Sequence, residues 1–414
     1  MKKHILMLVL FLMIISLTSA MATQLTILTW AHFVPASDQY LQQIAQKFGK
    51  LYNVDVRIDF VSLNNIDAKL AAEFQSQSGD DIVLLMNHST ALYSSQLANV
   101  SDVASAIENE YGSFWSVASE SSKINGQWLS IPLYYTPAPA ILRTDYFSTV
   151  GATYPNTWDE LLQVAKQLYK IGHPIGLPIS NCGDSNDWLI QLMASFGAYP
   201  VNSKGEVTID STQTKEAIDY VRALYKYMSP QVLGWDGAGN NNWLLSGVGS
   251  YIINPISVIV SANQLGTSLP QNLTMELPPA GPEGRYVTTS IYTFGIPKWS
   301  QNVNLAKEFL LYLYKPENFI GWVNASGGYN MPLFTDMSRF ENLPIWKQYP
   351  NYQVLFGFGK WMHMSFWPAP SSGKDQLAYN LYIIPNMFAH AVTGWTDEQA
   401  ISWAKSQLET IYGK

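Results

Sequence analysis

The chain has 414 residues with 24 basic and 31 acidic side chains, so its formal net charge is −7 at pH 7. Charged residues make up only 13% of the sequence and are scattered, which argues against nucleic acid and anionic membrane surfaces as partners. Aromatic residues make up another 13%, including 14 Trp and 24 Tyr. Few charges together with many aromatic, amide and hydroxyl groups suit neutral hydroxylated ligands, although most aromatic residues fill cores.

The first 22 residues have the three parts of a secretory signal peptide. Residues 2–4 are Lys-Lys-His, residues 5–17 are apolar apart from Ser16, and small residues end in Ala20-Met21-Ala22. This order predicts export to the extracellular space or periplasm, with cleavage after Ala22. The alternative, an uncleaved anchor helix, is disfavoured because the apolar run is short for a span of about 20 residues. Without Lys2 and Lys3, 22 basic side chains face 31 acidic ones, a net charge of −9.

Residues 25–86 alternate between strand and helix patterns. Leu25–Trp30 is a predicted strand, followed by a helix that Ser37 would cap and Gly49 would end. Residues 54–60 alternate as in a strand, residues 66–74 form a second predicted helix, and residues 81–86 are typical of a buried parallel strand. This succession predicts a mostly parallel sheet with helices on both faces.

Later helices carry start signals of their own. A T-x-x-E capping box opens a predicted helix at Thr157, and a Thr396-x-x-Gln399 box opens the last one, which should run to about Ile411. Apolar stripes at helical spacing cover residues 217–228 and 305–313, the second ended by Pro316. The mature length exceeds one ordinary core and predicts two domains.

The sequence has none of the common catalytic signatures. It lacks G-x-S-x-G, H-E-x-x-H, C-x-x-C, P-loop and G-x-G-x-x-G motifs, and its six His have no metal-ligand spacing. Asp80-Asp81 precedes a buried strand, where turn or capping duty is expected. The single cysteine, Cys182, excludes an intramolecular disulfide and is expected to be a small buried hydrophobe. We therefore expect no enzyme activity, no cofactor and no metal site.

Short blocks along the mature chain occur in the order of a known family. They are Trp30 at the end of the first strand, QSGDDIV at 77–83, INGQWLSIP at 124–132, YPNTWDE at 154–160, PPAGPEGR at 278–285, AKEFL at 306–310 and SGGYNMP at 326–332. Together these blocks resemble the extracellular solute-binding proteins of carbohydrate ABC importers, the group that includes the maltodextrin-binding proteins. Each block is weak evidence alone, but their order and spacing make the joint signal strong.

This resemblance implies an α/β fold of the two-lobe periplasmic-binding-protein type (type II-like), in which doubly wound lobes are joined by a hinge. The first lobe would comprise residues 23–135 plus 287–340, and the second residues 136–286 plus 341–414. The implied function is capture of a sugar or oligosaccharide between the lobes and its delivery to an ABC permease by a monomeric receptor. No nucleic acid partner is implied.

The chain departs from the family pattern at two points. It has no cysteine directly behind the signal, so lipid anchoring is not supported. Where relatives often carry an aromatic residue in a G-P-W turn, this chain has Asn254-Pro255-Ile256-Ser257. One stacking partner is therefore lost or supplied elsewhere, which leaves the identity of the ligand open.

Sugars require flat aromatic rings for their C–H faces and polar groups for their hydroxyls. Ligands of α/β folds bind beyond the carboxyl ends of parallel strands, where this chain places Trp30, His32, Asn87 and His88. The resemblance adds further segments, so that the complete set of candidate ligand-binding residues is Trp30, His32, Asn87, His88, Tyr134, Tyr135, Asp184, Asn186, Trp188, Asn254, Phe366 and Trp367.

Within this set, four residues are candidate stacking surfaces and three are hydrogen-bond candidates. The stacking candidates are Trp30, Tyr135, Trp188 and Trp367, and the hydrogen-bond candidates are Asn87, Asp184 and Asn254. For every one of them the alternative is a packing or surface role.

Three other functions remain open at this stage. An amino acid or peptide ligand would need an Arg for its carboxylate, and none of the five Arg lies in the predicted loops. Ferric ion would need phenolate ligands, which the adjacent Tyr134 and Tyr135 could supply. A secreted carbohydrate-active enzyme or lectin-like module is the alternative from a different class of protein, because one sequence cannot reveal two carboxyl groups that face each other across a sugar.

Overall fold

Strands and helices alternate through residues 23–413, the part of the chain that the computed structural model describes. The predicted signal segment, residues 1–22, lies outside the described residues. The strands are β1 Gln24–Trp30, β2 Asp55–Val61, β3 Ile82–Met86, β4 Lys123–Ile124, β5 Gln127–Trp128, β6 Ser130–Tyr135, β7 Ala140–Arg143, β8 Tyr251–Ile253, β9 Leu273–Glu276, β10 Val287–Thr288, β11 Ile291–Gly295 and β12 Met362–His363.

The helices connect these strands and form the C-terminal part of the chain. The α-helices are Pro35–Tyr52, Leu63–Ser76, Ser89–Leu92, Ser101–Tyr111, Ser116–Ser122, Thr144–Thr149, Trp158–Lys170, Gly183–Ser195, Thr212–Tyr225, Gly239–Leu245, Ser257–Gln264, Val303–Leu313, Pro316–Ala325, Gln353–Phe356, Gly373–Asn380, Ile383–Val392 and Asp397–Tyr412. Short 3-10 turns occupy Ser94–Gln96, Pro230–Leu233, Leu269–Asn272, Pro344–Gln348 and Phe358–Lys360.

The largest sheet has five strands in the order β2-β1-β3-β11-β6. β1 pairs in parallel with β2 and β3, whereas β11 runs antiparallel to both of its neighbours, β3 and β6. Four of the five strands therefore point the same way, and the predicted mostly parallel sheet is confirmed. The one reversed strand enters from a part of the chain about 200 residues beyond β3.

Apolar side chains cover both faces of this sheet. Ile27 and Leu84 belong to a large core cluster on one face, whereas Leu28 and Leu85 belong to a small cluster with Ile66 on the other. The alternation follows the two-residue period of a strand. β3, at the centre of the sheet, is buried along nearly its whole length and is a continuous apolar run.

A second, smaller sheet has the order β8-β7-β9, and both of its pairings are antiparallel. Successive residues of β7 face different clusters, since Ile141 packs in the first large cluster and Leu142 in the second. The second cluster also holds Trp158, Leu192 and Phe388, all from helices beyond β7. The chain thus forms a two-lobe α/β fold, and each large cluster draws on distant parts of the sequence.

The exact lobe boundaries stay a prediction. The sequence-based division assigns residues 341–414 to the second lobe. In the structure, Trp346, Leu355 and Phe358 pack in the first large cluster, whereas Phe388 and Leu408 pack in the second.

Some helix ends differ from those expected, and one pair of start signals is confirmed. The first helix is Pro35–Tyr52, so the expected cap at Ser37 and stop at Gly49 are wrong. Pro at the first helical position sets the start, and Asn53, in the left-handed conformation with φ of 54°, ends the helix. The capping boxes at Thr157 and Thr396 are confirmed, since each hydroxyl accepts a hydrogen bond from the backbone three residues on.

Removing the Thr157 capping hydroxyl should destabilise the helix that it opens. The Thr157 hydroxyl accepts from the Glu160 backbone N–H at 3.2 Å, and the Glu160 carboxylate accepts from the Thr157 backbone N–H at 3.2 Å. Thr157→Ala should lower the free energy of unfolding by about 1 kcal/mol. Thr157→Ser keeps the hydroxyl, so its free energy of unfolding should fall much less. Equal losses of both variants in urea unfolding would contradict a capping role.

Candidate functional site

A cavity lies between the two large core clusters. Among its aromatic lining residues, Tyr292 and Tyr329 belong to the first cluster and Trp188 and Tyr379 to the second. Phe33 stands at the cavity with 37% of its surface exposed. The cavity is therefore built from both halves of the fold, where a ligand would contact both.

One face of the Gly183–Ser195 helix forms a wall of the cavity. Asp184, Asp187, Trp188 and Gln191 all line it, and their spacing of three and four residues places them on the same side of the helix. The Trp188 indole N–H donates to the Pro178 carbonyl at 2.6 Å, which fixes its ring with only 2% exposed. This helix thus presents two carboxyls, an amide and an aromatic ring to one space.

The opposite wall contains an aromatic ring backed by a second layer of rings. Tyr292 on β11 stacks on Tyr134 at 4.8 Å and on Trp30 at 5.6 Å between ring centroids. The Trp30 indole N–H donates to the Tyr134 hydroxyl at 3.0 Å. Tyr329, which also lines the cavity, packs against the His32 ring at 4.6 Å. These contacts hold the two lining tyrosines in place.

Three carboxyl groups line the cavity, and burial raises the pKa of each. The pKa of Asp67 and that of Asp184 rise to about 6, and that of Asp187 to about 7. For Asp187 the burial effect is largest, and the charge of Asp184, one helical turn away, adds to it. The Tyr379 hydroxyl donates to Asp187 at 3.1 Å and the Asn240 amide donates to Asp184 at 2.8 Å.

Neutral polar groups complete the lining. Asn254 donates to the Asn241 side-chain oxygen at 2.6 Å, and Asn241 in turn donates to the Ser257 hydroxyl at 3.2 Å. The Asn87 side-chain oxygen accepts from the Ile291 backbone N–H at 3.0 Å. Gln191 differs from these residues, because its side-chain nitrogen is buried without a hydrogen-bond partner within residues 23–413. An unpaired buried donor is costly, so Gln191 favours an acceptor in the cavity.

Four of the candidate ligand-binding residues line this cavity: Asn87, Asp184, Trp188 and Asn254. Trp30, His32 and Tyr134 lie behind the wall and support Tyr292 and Tyr329. Asn186 also supports the wall from behind, because its amide donates to the Tyr379 carbonyl at 3.0 Å. The structure places Trp30, His32, Tyr134 and Asn186 behind the residues that line the cavity. Their direct contact with a ligand stays a prediction.

The two candidate histidines act as buried neutral hydrogen-bonding groups. His32 accepts the Val34 backbone N–H on Nδ1, so Nε2 carries the proton that bonds Asn330 at 2.9 Å. Burial lowers the pKa of His32 to about 4. His88 bonds Ser371 through Nδ1 at 2.7 Å and Ser365 through Nε2 at 2.9 Å, and burial lowers its pKa as well.

The remaining candidates lie outside the cavity lining. The Tyr135 hydroxyl donates to the Leu355 carbonyl at 3.1 Å, and Phe366 is buried in the second cluster. Trp367 is half-buried among other aromatic rings, with Tyr199 and Tyr286 at 5.5 Å and His363 at 4.3 Å. Direct ligand contact by Tyr135, Phe366 and Trp367 stays a prediction without support from the cavity geometry.

Several lining residues are absent from the candidate set: Phe33, Asp67, Asp187, Gln191, Tyr292, Tyr329, Tyr379 and Tyr382. Asp187 and Gln191 carried a usable signal, since they share a helix face with Asp184 and Trp188. Phe33 lies in the loop after the first strand, where a ligand was expected. The four tyrosines had no local signal, because long-range packing brings them to the cavity.

The profile of the family described as bacterial extracellular solute-binding protein matches residues 34–318, more than half of the chain. The chain belongs to this family. The resemblance noted in the sequence is thereby confirmed. A curated relative, YcjN of Escherichia coli strain K12, is provisionally named as an ABC transporter periplasmic-binding protein and is 22% identical over 236 residues. The alignment covers 55% of this chain and only 50% of that relative.

Solved structures of similar fold cover nearly the whole chain. T. maritima MalE3 with bound maltose has a TM-score of 0.82 at 18% identity, over 94% of this chain and 100% of that one. A solute-binding protein of Thermotoga lettingae TMO, bound with α-D-tagatose, has a TM-score of 0.82 at 17% identity, over 95% of this chain and 100% of that one. A sugar transporter protein of Arthrobacter chlorophenolicus A6, with bound laminaribiose, has a TM-score of 0.80 at 16% identity, over 94% of this chain and 99% of that one. These likenesses confirm the two-lobe periplasmic-binding-protein fold.

Two further observations on the described residues concern membrane-spanning helices and metal sites. Within residues 23–413 no helix combines the length and apolar character needed to span a bilayer. Nor do these residues contain a group of three or more His, Cys, Asp or Glu placed to hold a metal ion. The hydroxyls of Tyr134 and Tyr135 are both engaged in the core, and burial raises the pKa of both, which disfavours the phenolates that ferric ion would need.

The raised pKa of Asp187 should appear in the pH dependence of stability. A carboxyl whose pKa rises from its ordinary 3.8 to about 7 on folding binds more protons folded than unfolded, so stability falls as pH rises through 4–7. Asp187→Asn should remove this penalty. The variant should melt at a higher temperature than the native chain at pH 8, and the difference should shrink at pH 4.5. The surface variant Glu341→Gln is the control, and an equal shift at both pH values would contradict the assignment.

Proposed function

We propose that this protein is an extracellular sugar receptor that binds a saccharide in the cavity and delivers it to an ABC permease. The carrying observation is the cavity lining, in which aromatic rings from both core clusters alternate with amides, hydroxyls and carboxyls. Rings match the C–H faces of a sugar, and the polar groups match its hydroxyls. The names of similar proteins support the same ligand class, since maltose, α-D-tagatose and laminaribiose are bound in three of them.

The two clusters suggest how binding would be coupled to transport. A ligand that contacts Trp188 on one side and Tyr292 on the other favours the arrangement in which both walls are close. Hinge closure between the lobes would then produce the form that a permease recognises. The proposal includes export through the predicted signal, action as a monomer and the predicted division into lobes. It also includes action without a cofactor, without a nucleic acid partner and without catalysis.

The cavity favours this function over the alternatives. Asp184 and Asp187 lie one turn apart on the same helix, whereas glycoside hydrolysis uses two carboxyl groups that flank the bond. No Arg of the described chain lines the cavity, which disfavours ligands that need a carboxylate clamp.

Two measurements on one preparation test the proposal. A thermal-shift screen over mono- and oligosaccharides should raise the melting temperature with at least one compound, and calorimetry should give one site per chain. A reducing-sugar assay with the same compounds should detect no release. Turnover would favour the carbohydrate-active enzyme, and a screen without any saccharide hit would refute the receptor.

Substitutions of two aromatic residues, the exposed Phe33 and the half-buried Trp367, separate the cavity from the alternative site at Trp367. Phe33→Ala should weaken saccharide binding by about 1–2 kcal/mol, roughly tenfold in the dissociation constant, because the exposed ring lines the cavity. Trp367 does not line the cavity, so binding there predicts that Trp367→Ala leaves affinity unchanged, whereas the sequence-based expectation of direct contact predicts a loss. The reverse result in calorimetry would move the binding site to Trp367.

A further inference from the structure

The charged residues that line the cavity are all acidic. Asp67, Asp184 and Asp187 line it, whereas no Lys, Arg or His of residues 23–413 does. The carboxyls come from two separate helices, Leu63–Ser76 and Gly183–Ser195, so the acidic character is not confined to one wall. A saccharide that carries a carboxylate or phosphate would meet only repulsion here.

Within residues 23–413, no Lys or Arg forms a salt bridge with any of these three carboxyls. The described partners of Asp184 and Asp187 are uncharged: an amide for Asp184, and the hydroxyls of Tyr379 and Ser290 for Asp187. Arginines of the same chain are paired elsewhere, as in Arg143 with Asp145 and Arg222 with Asp397. Buried charge without a counter-charge is costly, so the site gains most from a ligand that supplies one.

The aromatic walls suit a cation as well as a sugar face. Tyr292 and Tyr329 lie in the negative field of Asp184 and Asp187, which contributes to raising the pKa of both phenols after burial, the largest cause. The π-faces of such rings attract ammonium groups. Aromatic rings and carboxyls around one space are therefore matched to a ring that has apolar C–H faces and bears a positive charge.

The unpaired amide of Gln191 distinguishes a sugar from a simple amine. Its buried side-chain nitrogen can only donate and needs an acceptor, which a hydroxyl oxygen of a saccharide provides. A fully protonated linear oligoamine has donors only and would leave this nitrogen unpaired. Gln191 is an observation independent of the carboxyl cluster, and it favours a ligand with both hydroxyl and ammonium groups.

We propose that the ligand of the cavity is an amino sugar, or an oligosaccharide containing one, whose protonated amine lies beside Asp184 and Asp187. This inference rests on the proposed function, because it specifies the saccharide bound at the same site. It makes charge, and not only hydroxyl geometry, the basis of selectivity.

Matched sets of sugars that differ at one substituent test the inference. The sets are glucosamine, N-acetylglucosamine and glucose; the galactose analogues; and the β-1,4-linked disaccharides of each gluco form, measured by calorimetry at pH 7.5. In at least one set the free amine should bind ten or more times as tightly as both neutral members. The advantage should fall as salt is raised from 20 to 500 mM, because added ions screen the attraction.

Variants of the protein provide the second arm. Asp187→Asn keeps the size of the side chain and should reduce the ratio of amine affinity to neutral-sugar affinity at least threefold. Asp184→Asn should act in the same direction, and the surface variant Glu341→Gln should leave the ratio unchanged. Melting curves of the variants establish that they are folded.

The outcomes separate this inference from the proposed function. Neutral saccharides that bind as tightly as the amines, or no binding of any amine, would overturn the inference, and a neutral hit alone would leave the sugar receptor intact. Binding of spermidine with no binding of any saccharide would overturn both proposals.

Discussion

The insertion of β11 between β3 and β6 is the interaction on which the site depends. Its backbone hydrogen bonds join residues from three distant parts of the chain into one sheet and leave Tyr292 facing the cavity. At the end of the same strand, the Asn87 side chain and backbone both bond Ile291, across 204 residues of sequence. Without this pairing the first core would lack one wall of the site.

The cavity combines groups that are fixed by the protein with groups that are left free. The side chains of Asn254 and Asn87 form hydrogen bonds within the protein, and the Trp188 indole N–H donates to the Pro178 carbonyl. Such bonds hold the side chains in place before a ligand arrives, which reduces the ordering cost of binding. Gln191 and the three carboxyls retain capacity for further bonds, so selectivity should depend chiefly on them.

Local signals in the sequence were sufficient for the framework and for part of the site. Apolar strand patterns, alternating in β2 and continuous in β3, predicted β1 to β3, and the capping boxes located two helix starts to the residue. Helical periodicity applied to Asp184 and Trp188 would also have added Asp187 and Gln191. Trp30 and Tyr134 illustrate the limit, because only the packing of β11 decides which aromatic ring lines a cavity and which one supports it from behind.

The late position of β11 in the chain also constrains the order of folding. β3 and β6 are complete by residue 135, yet their facing edges stay unpaired until residues 291–295 have been synthesised. Exposed strand edges invite pairing with other chains. During synthesis, about 150 residues must therefore follow β6 before the sheet can close, and the nascent protein has a long interval in which chaperone protection of those edges would be of value.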